Sequence, residues 1–211
     1  DVLARSGNAD DAVRTYSEIV EFDPGSIDSR RLLGDIYLGH GWYEPAYRQY
    51  RTITELNDVA PLGWLRHAAA AAGAGRIDEA LRLERKVASA QGTPGPTDPR
   101  RWARLMSAAR LARLIASPPK TGARPESVKR ELKELGLFSG PGELVLVTWE
   151  ELGNDLLLTS EVDGAEAGLG DVTDAAKIGL SALLLTSADA DRATLHARLR
   201  SAPADHAIRI Q

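Results

Sequence analysis

Residues 27–60 read IDSRRLLGDIYLGHGWYEPAYRQYRTITELNDVA, and the fold turns on this stretch. A Leu33-Gly34 pair is followed by Tyr37, Gly41, Tyr43, Ala46, Tyr50 and Ile53. The same pattern recurs at one fixed interval before and after it. Gly7, Gly41 and Gly75 fall in one register, and Ala12, Ala46 and Ala80 in a second. Ile19, Ile53 and Val87 form a third; Ala9, Tyr43 and Ile77 form a fourth. Tyr16, Tyr50 and Glu84 form a fifth, degraded in its last member. Several registers at one fixed period define an internal repeat, and a repeat decides the fold before any single element does.

On these residues the chain resembles tetratricopeptide (TPR) repeats, whose period is about 34 residues. The second copy, 27–60, is the fullest. The third carries Trp64, Ala68, Gly75, Ile77, Ala80 and Val87; the first carries Gly7, Ala9, Ala12, Tyr16, Ile19 and Pro24. The resemblance implies paired helices, with small residues at the close crossings and large ones filling the space between pairs. It also places Gly7, Gly41 and Gly75 in turns where a positive φ is needed. Departures are plain. Asp58 stands at the closing proline position and Pro61 follows it only later, His67 takes a large apolar position, and Glu84 replaces an aromatic. The first copy lacks most of its leading helix, so the sequence is expected to begin inside a larger protein.

A degenerate fourth unit follows. Asp98-Pro99 is a helix start, with Asp as cap and Pro in the first turn. Trp102 and Leu105 repeat the spacing of Trp64 and His67, but further along the chain than the period requires, with Gly92–Pro96 supplying the inserted turn. This helix is expected to run to Ala116 with apolar residues on more than one face, which predicts that it is sandwiched. A shorter helix, Pro125–Leu137, comes next. Its expected ion pairs are Glu126–Arg130 and Arg130–Glu134, and Gly136 ends it.

Composition excludes several classes of protein. At 43% hydrophobic and 27% charged, the chain lies outside the disordered range. No apolar run approaches the roughly 18 residues of a membrane span. Cysteine is absent, which removes disulfides and thiolate metal sites. Net charge is −3 over 1–97, +6 over 98–137 and −7 over 138–211. A basic middle between acidic ends does not make the dominant basic field that nucleic acid requires. It predicts instead that 98–137 is wedged between acidic neighbours.

Beyond Ser139–Gly142 the composition changes. Glu143–Trp149 reads as a buried strand, Asp155–Glu161 as its return strand, and Thr194–Arg200 and Ala207–Ile210 as further strands. Ile178–Thr186 fits either a strand or a helix capped by Asp174. The whole predicts an α+β multidomain chain. A TPR α-solenoid over 1–97 and capping helices over 98–137 precede a small, mainly-β, sandwich-like domain over 138–211; a mixed α+β module is the rival. Leu144–Asp163 also resembles the opening hairpin of a β-sandwich module appended to TPR regions in bacterial envelope proteins.

Catalytic constellations are missing. No Gly-x-Ser-x-Gly elbow occurs. Gly168-x-Gly170 lacks the third glycine of a dinucleotide loop. Ser117–Lys120 and Lys120–Gly122 share one lysine in a proline-rich linker. His40, His67, His196 and His206 have no metal-ligand spacing, and His40 is expected to be solvated or capping. Asp163, Glu166, Asp171 and Asp174 form an acidic loop that reads as solvated, with Ca²⁺ as the alternative occupant. No cofactor is expected.

TPR arrays bind peptides or protein segments on the face lined by the first helix of each pair, and the resemblance implies the same here. Its subclass for carboxylate tails uses a basic clamp with asparagine. Here Asp28, Arg31 and Asp35, then Leu62, Leu65 and Ala69, stand in the matching places. A bare carboxylate tail is therefore not expected. The expected contact residues are Arg31, Asp35, Leu38, Leu62, Leu65 and Arg66, with Tyr47 as an exposed addition. The expected role is a non-catalytic interaction scaffold for a protein or peptide partner, without nucleic acid or membrane insertion. The alternatives are a docking or regulatory region of an enzyme, and a Ca²⁺- or glycan-binding sandwich on a helical stalk.

Overall fold

Two turns, one repeat apart, set the helical part. Gly41 has φ +69° and Gly75 has φ +79°, the left-handed conformation that ends helices at low cost only for glycine. The N–H of Trp42 donates to Tyr37 O at 2.9 Å, and that of Gly41 to Leu38 O at 3.0 Å. The next copy repeats both bonds, Arg76 N–H to Ala71 O at 2.8 Å and Gly75 N–H to Ala72 O at 2.9 Å. These are the paired bonds of a Schellman cap, made twice in the same register.

The computed structural model describes residues 9–21, 23–56, 60–91, 98–116 and 125–137, together with five strands between 142 and 201. Its helices are α1 (Ala9–Glu21), α2 (Ile27–Gly39), α3 (Tyr43–Leu56), α4 (Pro61–Gly73), α5 (Ile77–Ala88), α6 (Pro99–Ala116) and α7 (Pro125–Glu134). The chain divides into two compact units, Asp1–Leu83 and Glu84–Gln211. None of these helices is long and apolar enough to cross a membrane.

In the first unit, α1 packs on α2, α2 on α3, and α3 on α4. Local chemistry starts two of these helices. Ser26 caps α2, its Oγ accepting from Ser29 N–H at 3.1 Å, and Pro61 opens α4. Small residues stand where the helices cross. Ala12, Ala46 and Ala80 are buried to 1%, 0% and 0% exposure. At Gly34 a Cβ would lie 2.8 Å from the Tyr50 ring, so α2 and α3 approach to a distance only glycine allows.

In the second unit, Asp98 caps α6, accepting from the Arg100 N–H at 3.0 Å. Hydrogen bonds from the Arg100 side chain hold the Asp98 carboxyl below its usual range. Trp102, Ala103, Leu105, Met106, Ala108 and Leu111 are all buried. This is more than one face, and α6 meets α7, β1 (Gly142–Thr148) and β4 (Leu180–Thr186). On α7, Glu126 meets Lys129 at 3.0 Å, one residue short of the Arg130 expected, and Arg85 reaches Glu131.

The expected sandwich domain is corrected. Helices make up 81% of the region that can be described in full. The strands form two small sheets. β1 pairs antiparallel with β4, Leu144 opposite Leu184 and Val145 opposite Leu183. The other sheet has the order β3-β2-β5, from β3 (Ala165–Ala167), β2 (Asp155–Val162) and β5 (Ala193–Ser201). The expected opening hairpin is thus not made, because β2 pairs with β3 and β5 rather than with β1. The physical reason lies in pattern. The four-residue apolar runs Leu144–Val147 and Ala182–Leu185 lie opposite each other, whereas the shorter run Leu156–Leu158 lies opposite the alternating residues of β5. The expected strand at Ala207–Ile210 lies outside the described residues. The reading of a Ca²⁺- or glycan-binding sandwich falls with the sandwich itself.

Candidate partner-binding face

On α2, Asp28, Arg31, Leu32 and Asp35 recur at the spacing of one helix face. Arg31 is exposed and meets Asp28 at 2.9 Å. Leu32 is 54% exposed, one of two large apolar side chains left so open among the described residues. Asp35 accepts a hydrogen bond from the Tyr50 hydroxyl of α3. Arg66 of α4 brings its Nε to 3.2 Å from the same Asp35 oxygen. That contact is an ion pair by distance but not a hydrogen bond by direction, and Nε remains buried without an acceptor. Burial, then the Asp35 charge, pushes the Tyr50 hydroxyl far up from its ordinary value, so it stays a donor. One carboxylate therefore holds three helices together, with a guanidinium only partly satisfied beside it.

Leu62 is half-buried on α4. Leu38 and Leu65, expected to line the same face, are 1% and 0% exposed and belong to the core. Tyr47 is also corrected, from exposed to 6% exposed. Its ring lies under the Arg76 guanidinium, 4.3 Å from its centroid, and against His67. Its hydroxyl donates to Glu79 at 3.0 Å. Arg76 in turn holds Glu44 through two bonds, at 2.7 and 3.2 Å. Tyr47 lies outside the five registers at which a buried aromatic could be expected, and its partners are up to 32 residues distant.

Sequence reasoning missed Leu32. The signal was present, since Leu32 shares the helix face of Asp28 and Asp35. His40 is the cap expected, its N–H on Ile36 O and its ring stacked on Trp42 at 4.5 Å. Asp163, Asp171 and Asp174 lie outside the described residues, and Glu166 stands on β3. Among the described residues no cluster of His, Asp or Glu could hold a metal ion.

The helices form a packed arrangement compatible with a helical repeat. No family model, curated protein or solved structure matches the chain.

Proposed function

We propose that the chain is a non-catalytic interaction scaffold of the tetratricopeptide type. In this reading it holds a peptide or protein segment on the face formed by Arg31, Leu32 and Asp35 of α2 with Leu62 and Arg66 of α4. The observation that carries the reading is the exposed Leu32 on α2, next to the exposed Arg31 and on the helix face of Asp28 and Asp35. An exposed apolar side chain with an exposed guanidinium next to it suits an amphipathic segment with an acidic anchor. The recurrence of small crossings and Schellman turns at the repeat interval supports the repeat type.

The test is selection from a displayed library of amphipathic peptides carrying either acidic or basic anchors. Peptides that combine a leucine with an Asp or Glu are expected to be enriched. Leu32→Asp and Arg66→Gln should each abolish the enrichment, since interface anchors typically cost about 2 kcal/mol or more when removed. Thr194→Ala, exposed on β5, should leave it intact. Enrichment unchanged in Leu32→Asp and Arg66→Gln would move the binding face elsewhere.

A further inference from the structure

The register that carries Leu33 in the second copy carries His67 in the third. Leu33 is 0% exposed and His67 is 3% exposed. A titratable ring therefore occupies a core position that a leucine fills one repeat earlier.

Its surroundings favour one tautomer, because a buried Nε2 with no acceptor is better left without a proton. Thr54 has a single hydroxyl proton, and its Oγ1 donates to Arg51 O, 3.0 Å away on the same helix. Oγ1 then accepts from His67 Nδ1, also at 3.0 Å. The proton of the neutral ring sits on Nδ1, and Nε2 is the bare nitrogen. Nε2 is buried and has no hydrogen-bond partner. The Tyr47 ring lies 5.3 Å away, centroid to centroid.

The charged groups facing this ring are Arg51 and Glu55 of α3 and Glu79 and Arg82 of α5. Both carboxylates are already engaged. Glu55 holds Arg51 at 2.7 Å, and Glu79 accepts from the Tyr47 hydroxyl and meets Arg82 at 3.6 Å. A proton added at Nε2 would create a buried charge and a buried donor with no acceptor, both costly in a core.

We propose that His67 is an acid-sensitive latch: protonation of Nε2 releases the packing of α4 on α3, so this helix pair opens in acid and closes at neutral pH. The direction follows from burial, which pulls the ring from its usual 6.5 down to about 4, against the opposing pull of Glu79 and Glu55. In the opened chain the imidazole takes up its proton from about pH 6.5. The stability contributed by a neutral His67 is therefore complete above that pH and lost as pH falls toward 4. Across that window the opening equilibrium shifts on the order of a hundredfold toward the open form.

The test is amide hydrogen exchange in α3 and α4 of the 211-residue chain, corrected for intrinsic rates, from about pH 7 to about pH 4.5. Wild type is compared with His67→Leu, which restores the side chain found at position 33. Protection in the wild type is expected to fall more than about tenfold relative to the variant over this range. Parallel profiles would overturn the proposal. A second measurement needs no variant. Nitrogen NMR of the wild-type imidazole nearest the Tyr47 ring should report an Nδ1–H tautomer that stays neutral to below about pH 5. An imidazole there that titrates near about pH 6.5 would overturn it equally.

Discussion

Positions 50 and 84 share one register of the repeat, yet they are filled by opposite chemistry. Tyr50 is 1% exposed, seated over Gly34, with its hydroxyl on Asp35. Glu84 is 0% exposed and receives Ser107 Oγ at 2.9 Å and Arg110 Nε at 2.6 Å. Both side chains carry oxygen into a helical core. The tyrosine brings an apolar ring that is stabilised by burial alone. The glutamate brings a charge, and burial pushes its carboxyl upward while Arg110 and Ser107 pull it down. The lesson concerns what each position tolerates losing. A ring packed over a glycine survives the loss of its hydrogen bond; a buried carboxylate does not survive the loss of its cation.

The largest expected effect breaks the pair at position 84. Arg110→Ala would leave Glu84 buried and uncompensated, which typically costs about 3–5 kcal/mol. Urea unfolding followed by circular dichroism measures this. The double variant Glu84→Leu, Arg110→Leu should recover most of the loss, because well-packed apolar residues often replace a buried ion pair at no cost. A single variant as stable as the parent would mean that the pair contributes nothing.

The repeat period made one half of this comparison legible. It placed the small residues Ala12, Ala46 and Ala80 and the turn glycines Gly41 and Gly75, since crossings and left-handed turns each demand one kind of residue; Gly7 lies outside the described residues. It could not explain Glu84, His67 or Tyr47. A polar residue at a buried position is decipherable only through its partner, and Ser107 and Arg110 lie 23 and 26 residues away, across an insertion. On the proposed face, the charged residues Arg31, Asp35 and Arg66 could be picked out from the repeat register alone. Leucines there were ambiguous, since Leu32 faces out while Leu38 and Leu65 face in. The strand pairing failed for another reason. Apolar runs show where strands form, but pairing is decided between runs, and β1 passes over β2 to reach β4.

The next effect tests the crossing that both halves of the repeat share. Ala46→Leu adds a branched side chain where exposure is 0%. Overpacking of this kind costs roughly 1–3 kcal/mol. A melting temperature unchanged from wild type would show that the crossing is looser than its burial indicates.

Tyr50→Phe sharpens the comparison from the other side. The ring over Gly34 is kept and only the bond to Asp35 is lost. A hydrogen bond to a charged group contributes about 1.5 kcal/mol at the lower end of its range, and Asp35 retains Arg66 at 3.2 Å. Tyr50→Phe should therefore cost less than half as much as Arg110→Ala in the same denaturant experiment. Equal costs would place the importance of position 50 in its hydroxyl rather than in its ring.

The smallest effect compares the two turns themselves. At Gly75 a Cβ would meet nothing within 4 Å, so Gly75→Ala adds no clash. It adds only the strain of φ +79°, about 1 kcal/mol for a residue that carries a Cβ. At Gly41, with φ +69°, the nearest atom to a Cβ would be the Tyr43 hydroxyl at 4.0 Å, an ordinary contact. Gly41→Ala should therefore cost the same within about 0.5 kcal/mol, as it would for two copies of one Schellman cap. Asn tolerates the left-handed region better than alanine, so Gly75→Asn should lose less than Gly75→Ala. If alanine and asparagine cost the same at position 75, the penalty comes from something other than φ, and the two turns are not the equivalents that their hydrogen bonds make them.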